Sequence, residues 1–544
     1  MGIIRRTPLT IEEKDKTALN PGQSAATTGE RGRVLRSAGT VAGITLVSRL
    51  AGYGRDMVAT AFFGTGLPAD AFVAAFGLPN ILRRLVGEGN VAAAFVPVFQ
   101  HEAAGRSDAE LWKLADTFHL VIAGVAALLT FVGILVAPLL VETLLIPGNP
   151  AAWELTTRLV WITFPYLIFI SLASALMAML NARDRFGAAA FTPVLYNFTL
   201  IASVLVMTRV ETPIYVWAVA AVLGGFLQWL SLVPHAWNLG LRFRPGVPLS
   251  DPALRRIGAL MIPGLFGVGI VQINMFVGRY LASFLATGAI SSLFYAGRLT
   301  ELPLGIFAVA IATVVLPLMS RQAARGAHAE MLSTMNFALR QVAFITLPAM
   351  AGMVLLRLEI VSVLFERGEF GPASTARTAT ALAAYCTGLI AFAGVRVVVP
   401  GFFAVRNTRT PVIAAAVAMV VNVAACVLLI PLFDHAGVAL ASSIAAYVNV
   451  GLLLFLLRRH VGPLGGRRLL GSALRLSAAT AIMGWVVAAL RRLWFPAADA
   501  GFAVRALALG AIIAIGVVTY VAATALLRSP ELGELRQLRR QVAA

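Results

Sequence analysis

Apolar positions come in long blocks along this chain, separated by short polar connections. The blocks lie at about 36–63, 69–100, 114–142, 156–181, 187–208, 214–239, 258–286, 289–320, 333–356, 376–405, 410–432, 436–457, 469–490 and 502–527. Each approaches or exceeds the roughly 20 apolar residues that cross a hydrocarbon core of about 30 Å. Lipid offers no partner to an open backbone, so such blocks must be helices. The pattern predicts an all-α polytopic membrane protein with about fourteen transmembrane helices. Residues 1–33 are polar, rich in Ser, Thr and Gly, and carry Lys and Arg; they read as a disordered cytoplasmic tail and not as a cleaved signal peptide.

The basic residues orient these spans. With the N-terminus in the cytoplasm, the inner connections carry Arg183 and Arg185, then Arg242, Arg244, Arg255 and Arg256, then Arg321 and Arg325, Arg406 and Arg409, and Arg458, Arg459, Arg467 and Arg468. Roughly 27 Lys and Arg fall on the inner side and about 7 on the outer, which places both termini in the cytoplasm and requires an even number of spans. Arg340, Arg475 and Arg505 sit near span ends and are expected to snorkel. Arg49, Arg55, Arg83, Arg84, Arg279, Arg298 and Arg396 cannot all do so.

The chain also repeats weakly. Pro97 in AAFVPVFQHEAAGR matches Pro317 in VVLPLMSRQAARG, Asn197 in VLYNF matches Asn422 in MVVNV, and AVAAVLGG from Ala218 matches ALASSIAA from Ala439, all near one offset of about 220 residues. The matches predict two pseudo-symmetric six-helix lobes, 34–245 and 246–462, followed by a helix pair at 463–528 and a cytoplasmic C-tail at 529–544. Because six is even, the lobes are parallel repeats with a cleft between them, an arrangement found in alternating-access transporters. Chance similarity between Ala-, Val- and Leu-rich segments is the competing account.

The charges concentrate between Ser48 and Gln100. Arg49, Arg55 and Asp56 interrupt one apolar helix, and Asp70, Arg83, Arg84 and Glu88 interrupt the next, although an ionised side chain at a helix centre costs roughly 2.5–3.5 kcal/mol to insert. Arg49 and Asp56 share a helix face, provided that Gly52 and Gly54 leave the helix regular. Asp56 then either only neutralises Arg55 or orients an arginine toward a cavity. The second segment, about 32 residues and near 48 Å long, must tilt or break; Pro79 and the pair Gly87 and Gly89 are the weak points. Asn80, Arg84 and Glu88 fall on one polar stripe, with Arg83 beside it lacking a local carboxylate and Asp70 near the outer mouth. Arg84 and Glu88 are either a structural pair or part of a substrate site. In YAGRLTELP, Arg298 and Glu301 share a face just before Pro303. Arg279 and Arg396 are weaker candidates.

Composition narrows the chemistry. The 544 residues are 59% hydrophobic and 13% charged, with a mean hydropathy of +0.85 and a formal charge of +19. Cys386 and Cys426 lie in apolar runs without a partner, and none of the six histidines sits at ligand spacing, so neither metal nor thiol chemistry is expected. No phosphate-binding glycine motif follows a strand, which argues against an ATP-driven pump. No cofactor and no nucleic-acid partner are expected; an ion gradient, the membrane potential or substrate supply would drive transport. Guanidinium groups bind phosphate oxygens bidentately and stay charged in a dry site, so several intramembrane arginines favour a phosphate- or pyrophosphate-bearing substrate.

Four stretches carry a specific resemblance: SRLAGYGRD, FGTGLPADAFVAAFGLPNILRRLVGEGNVAAAFVPVF, YAGRLTELPLGIFAVAIATVVLPLMS and VVVPGFFAVRNTRTPV. They resemble the lipid II flippase MurJ (MviN) family of the multidrug/oligosaccharidyl-lipid/polysaccharide exporter superfamily, over nearly the whole chain after the N-tail. The resemblance implies two six-helix lobes around a cationic cavity, a C-terminal helix pair forming a groove for a polyprenyl tail, and a bacterial cytoplasmic (inner) membrane location. It implies lipid II as substrate, undecaprenyl-pyrophosphate-linked MurNAc-pentapeptide-GlcNAc, moved to the outer leaflet for peptidoglycan synthesis, with cell-wall synthesis proteins as partners and a sodium or proton gradient or the membrane potential resetting the cycle. By motif position it implies roles for Arg49, Arg55, Asp56, Asp70, Arg83, Arg84 and Arg298. Gly297 departs from the family, where an acidic residue often precedes this arginine; Glu301 is the local substitute. The alternatives are a flippase for another polyprenyl-linked oligosaccharide, a drug antiporter of the same superfamily, and a membrane glycosyltransferase. The antiporter would use carboxylates unpaired with arginine, and the glycosyltransferase would need carboxylates or a metal on outer loops that are short here.

Overall fold

The computed structural model describes residues 43–86, 89–463, 465–497 and 500–534. They form helices throughout, with no strand among them. In chain order these are α1 (43–63), α2 (Leu67–Val86), α3 (Asn90–Glu102), α4 (Asp108–Leu135), α5 (Ala137–Leu140), α6 (Trp153–Thr163), α7 (Tyr166–Ala182), α8 (Phe186–Ala202), α9 (Val204–Met207), α10 (Pro213–Trp237) and α11 (Pro252–Ala282). Then come α12 (Ala289–Pro303), α13 (Val309–Ala324), α14 (His328–Leu355), α15 (Arg357–Phe365), α16 (Pro372–Cys386), α17 (Leu389–Ala404), α18 (Arg409–Phe433), α19 (His435–Val461), α20 (Gly466–Trp494) and α21 (Phe502–Leu526). Nine helical segments among the described residues are long and apolar enough to cross a membrane, and α16 with α17, bent by 45°, makes a tenth. The chain is thus a multi-pass membrane protein; about fourteen spans is a finer count than these ten.

Local chemistry sets the helix ends. Ser107 and Glu110 form a reciprocal capping box at the start of α4. Asp251 accepts the Ala253 N–H at 2.8 Å and is followed by Pro252 at the first position of α11. In the long second segment α2 ends at Val86 and α3 begins at Asn90, capped by Gly89 at φ 74°, while Pro79 stays inside α2; Gly87 lies outside the described residues. A second interruption was not foreseen: a π-turn, Leu304–Ala308, separates α12 from α13.

Packing differs at the two ends of the molecule. At one end a single apolar core takes residues from both halves of the chain, including Phe63, Ala71, Val160 and Trp217 with Tyr295, Phe365, Phe370 and Ala439. At the other end it gives way to separate cores. One is built on Phe95, Phe99, Leu114, Leu176 and Ile257, the other on Met319, Met335, Val397, Phe402 and Leu457. A fourth core packs α20 and α21 on α14 through Leu476, Ile512 and Phe344. The helices are therefore joined at one end, hereafter the sealed end, and divided at the other.

The sealed end is closed by backbone. Gly64 and Gly368 both have positive φ, 54° and 55°, and a Cβ on either would lie 2.4 Å from the Glu369 carbonyl oxygen or 2.2 Å from that of Ala61. Only glycine lets these turns meet, and the Glu369 N–H donates to the Ala61 carbonyl at 2.9 Å. The contact recurs one repeat away, where the Gly148 N–H donates to Ser283 Oγ at 3.4 Å. The repeat also shows in polar contacts. Asn197 on α8 donates to the Ser48 carbonyl of α1 at 3.0 Å, while Asn422 on α18 donates to Asn274 Oδ1 of α11 at 2.9 Å. Both asparagines thus tie their helix to a neighbour, one through a backbone carbonyl and the other through a side-chain oxygen.

One sequence expectation is corrected here. Arg340 does not simply snorkel: it donates to Glu531 at 3.0 Å and Glu534 at 2.7 Å, so the chain just after α21 is clamped onto α14. Glu531 is fully buried and also accepts from Ser472 and Ser529. Burial alone would raise its carboxyl pKa, but the hydrogen bonds from Ser472, Ser529 and Arg340 outweigh it and hold the group below 4.5. A depressed value stabilises the clamp above pH 4.5, and that contribution is lost as pH falls through the folded value. Glu531→Ala should cost roughly 2 kcal/mol, between surface and buried ion-pair limits, and expose the chain after residue 529 to proteolysis; thermal unfolding and limited digestion in detergent measure both.

Candidate functional site

The charged residues meet where the shared core divides. Arg55 donates to Asp56 Oδ1 through Nη2 at 2.6 Å and Nε at 3.0 Å, and through Nη1 to Asn197 Oδ1 at 3.2 Å. Arg298, on α12 in the other half, donates from Nε to Asp56 Oδ2 at 3.3 Å. One carboxylate, 3% exposed, thus holds two guanidinium groups from different halves. Asp56 thus does more than neutralise Arg55, since it also bonds Arg298.

This assigns the orienting partner of Arg298 despite Gly297. Asp56 is the nearer carboxylate, while Glu301, half exposed, stands at 3.8 Å. Tyr53 adds a hydrogen bond from its hydroxyl to the Arg298 carbonyl at 3.2 Å. Arg49 donates from Nη2 to the Gly305 carbonyl at 3.2 Å, inside the π-turn. Arg396 on α17 is half-buried and feels the charges of Glu301 and Arg49. Helix α1 is regular through Gly52 and Gly54, which pack against Asn197 and Ile201.

A second group lies on α2. Arg83 donates from Nε to Asn80 Oδ1 at 3.0 Å, an i to i+3 contact with an uncharged acceptor. Glu88 lies outside the described residues, so the Arg84–Glu88 pair is not part of this picture. Arg279 on α11 packs over Gly77 of α2, where a Cβ would stand 2.7 Å from its Nη1, and it feels Arg84. Tyr196 joins the two groups: the Arg55 guanidinium stands 5.8 Å from its ring centre, and Arg83 also acts on its hydroxyl. Arg298 is about one-third exposed and Glu301 half exposed. Lipid would not solvate those charges, so water, protein or an anionic ligand must meet them at the exposed face.

Asp70 has a different part. Its Oδ2 accepts the Gly288 N–H at 2.6 Å, and its Oδ1 accepts the Ser291 N–H at 2.8 Å and hydroxyl at 2.6 Å. A residue of α2 therefore caps the start of α12 across the two halves, at the sealed end. Beside it Thr65 and Ser374 hydroxyls are 2.6 Å apart, Arg377 donates to Thr65 at 3.1 Å and to the Thr287 carbonyl at 2.7 Å, and His435 Nε2 lies 2.9 Å from the Arg377 carbonyl. Sequence reasoning did not find Tyr53, Tyr196, Thr65, Ser374 or Arg377; only Asn197 carried a signal, as a repeat match.

The family model for the lipid II flippase MurJ matches residues 59–509. The chain belongs to this family. A Vibrio cholerae relative named "Probable lipid II flippase MurJ" is 35% identical over 91% of this chain and 96% of its own length. A Burkholderia cenocepacia relative named "Lipid II flippase MurJ" is 32% identical over 78% of this chain and 83% of its own. Among solved structures, "Lipid II flippase MurJ, inward closed conformation" superposes with a TM-score of 0.75 at 27% identity, covering 90% of this chain and 98% of that one. An inward-facing multidrug resistance MATE family transporter of the MOP superfamily superposes with a TM-score of 0.66 at 15% identity, over 78% of this chain and 98% of that one, which is likeness of fold.

The geometry ranks the carboxylates. Asp56→Asn leaves Arg55 and Arg298 without their shared charge and should cost about 3 kcal/mol, as for a broken buried pair, whereas Glu301→Gln should cost under about 0.5 kcal/mol. Thermal unfolding of both variants in one detergent checks the order.

Proposed function

We propose that the chain is a lipid II flippase that moves undecaprenyl-pyrophosphate-linked peptidoglycan precursor from the inner to the outer leaflet by alternating access. The observation that carries this reading is Asp56, which draws Arg55 and Arg298 from the two halves onto one point, with Arg298 still about one-third exposed. Family membership supports the substrate. In this account the architecture is two six-helix lobes plus the α20–α21 pair, fourteen spans in the inner membrane with both termini cytoplasmic, and the sealed end faces outward.

The arginines do the binding. Arg55 and Arg298 already have their charge half met by Asp56, so each keeps free donors for pyrophosphate oxygens while staying fixed in direction. Arg49, Arg83, Arg84 and Arg396 widen the positive field for the anionic headgroup; the polyprenyl tail stays in the bilayer. Pyrophosphate binding between the halves offsets the repulsion of their arginines and draws the divided end together, after which the polar contacts of the sealed end yield. An ion gradient or the membrane potential resets the cycle. A cation antiporter fits less well, since Asp56 is occupied by two arginines and Asp70 by backbone N–H groups.

Translocation of lipid II in reconstituted vesicles tests this reading, with an unrelated polyprenyl-linked sugar as control. Arg298→Ala and Arg55→Ala should each lower the rate at least about tenfold, the loss of one charge-assisted contact of about 1.5–3 kcal/mol. Failure of the parent chain to move lipid II, or unaltered rates in both variants, would sink it.

A further inference from the structure

Basic residues on the sealed side are not spread evenly. Arg357 and Arg367 flank α15, Arg491 and Arg492 end α20, and Arg505 begins α21. This clustering runs against the general scarcity of Lys and Arg on the outer side. Two of these residues, Arg491 and Arg492, line a cleft of about 580 Å³ between α14, α15 and the end of α20, together with Leu355, Glu359, Ala488 and Phe495. That volume suits a small ligand or a lipid headgroup.

The polar groups in the cleft are unevenly satisfied. Arg491 Nε donates to Glu359 Oε1. Glu359 is 7% exposed, and its Oε2 has no hydrogen-bond partner among the described residues. Leaving such an oxygen unpaired costs about 1–3 kcal/mol. Arg492 is exposed at the rim, and Arg505 donates to Ser362 Oγ at 2.8 Å just below. Outside the cleft Leu493, Trp494 and Phe502 are exposed, a set of side chains that marks the boundary between hydrocarbon and headgroups. The cleft therefore opens at headgroup depth.

We propose that this cleft binds the headgroup of an anionic, hydroxyl-bearing phospholipid of the sealed-side leaflet, a phosphatidylglycerol-type phosphodiester. Arg491 and Arg492 take the phosphate oxygens, a headgroup hydroxyl donates to Glu359 Oε2, and an acyl chain leaves past Leu355 and Phe495 into the bilayer. Two arginines against one carboxylate select a net negative headgroup over a zwitterionic one. The bound lipid would pin α20 to α14 and α15, away from the Asp56 cluster. The site is independent of the lipid II reading: it concerns a resident lipid, and its test does not involve translocation.

Native mass spectrometry of the detergent-solubilised full chain tests this, by titrating phosphatidylglycerol, phosphatidylethanolamine and inorganic phosphate against the parent and Arg492→Glu. One phosphatidylglycerol should be retained at least tenfold more tightly than phosphatidylethanolamine, Arg492→Glu should lose that preference, and millimolar phosphate should not displace the lipid. Equal retention of the two lipids by the parent, or unaltered phosphatidylglycerol binding in Arg492→Glu, would overturn the proposal. Displacement by phosphate would overturn the lipid assignment in favour of a free-anion site. Arg492 is exposed, so the variant should unfold at the parent's temperature; should it not fold, the two-lipid comparison on the parent chain still decides.

Discussion

A single buried carboxylate, Asp56, holds together an interior that carries more positive charge than negative. Seven arginines interrupt apolar helices here, and the carboxylates near them are few. Asp56 resolves the worst of the conflict by bonding Arg55 within its own helix and Arg298 across the interface. Arg49 on the same helix and Arg396 on α17 add further positive charge. A protein interior tolerates that only where water, or an anionic ligand, supplies the missing counter-charge. The same residue therefore stabilises the interface and leaves it short of negative charge, which is how an anion-binding cavity can be built without becoming a closed ion-pair network.

The second constraint is mechanical. The two halves share one apolar core at the sealed end and have separate cores at the other. Between them the sealed end relies on small polar and backbone contacts: the Gly64 and Gly368 turns, the Asp70 cap on α12, and the Thr65–Ser374 pair. Such contacts exchange readily for water, but the shared apolar core beside them, with Phe63, Trp217, Tyr295 and Phe370, must divide as well, so opening this end costs more than opening the other. The contacts at Ala61–Glu369 and Gly148–Ser283 both lie at the sealed end. The Asp56 cluster joins the halves through Arg55 and Arg298, so a ligand on these arginines acts on both halves.

Much of this was legible from residue order alone. Block hydropathy showed the all-helical membrane class, and the charge interruptions in SRLAGYGRD and YAGRL picked out Arg55, Asp56 and Arg298 before any packing was known. The repeat was visible in Asn197 and Asn422, whose equivalent hydrogen bonds explain why an amide recurs at that offset. What was not legible depends on which helix lies opposite. Position along the span puts Asp70 near the outer mouth but does not say that it meets the bare N–H groups of Gly288 and Ser291. It says that Arg340 lies near a span end but not that Glu531, nearly two hundred residues later, folds back to it. The Arg83 contact with Asn80 was not foreseen for a local reason, since an asparagine three residues earlier accepts a hydrogen bond although it carries no charge. The π-turn at Leu304–Ala308 leaves only a faint trace in Pro303 and Gly305.

The central claim is that the sealed end must open for transport, and a reversible cross-link across it is the most direct test. The Thr65 and Ser374 hydroxyls are 2.6 Å apart, close to the span of a disulfide bond of about 2.05 Å, so Thr65→Cys with Ser374→Cys, in a chain with Cys386 and Cys426 replaced by Ala, should bridge on oxidation. The account predicts that the oxidised protein retains lipid II binding but stops translocating it, and that reductant restores the rate. Translocation by the fully cross-linked protein at the reduced protein's rate would contradict it.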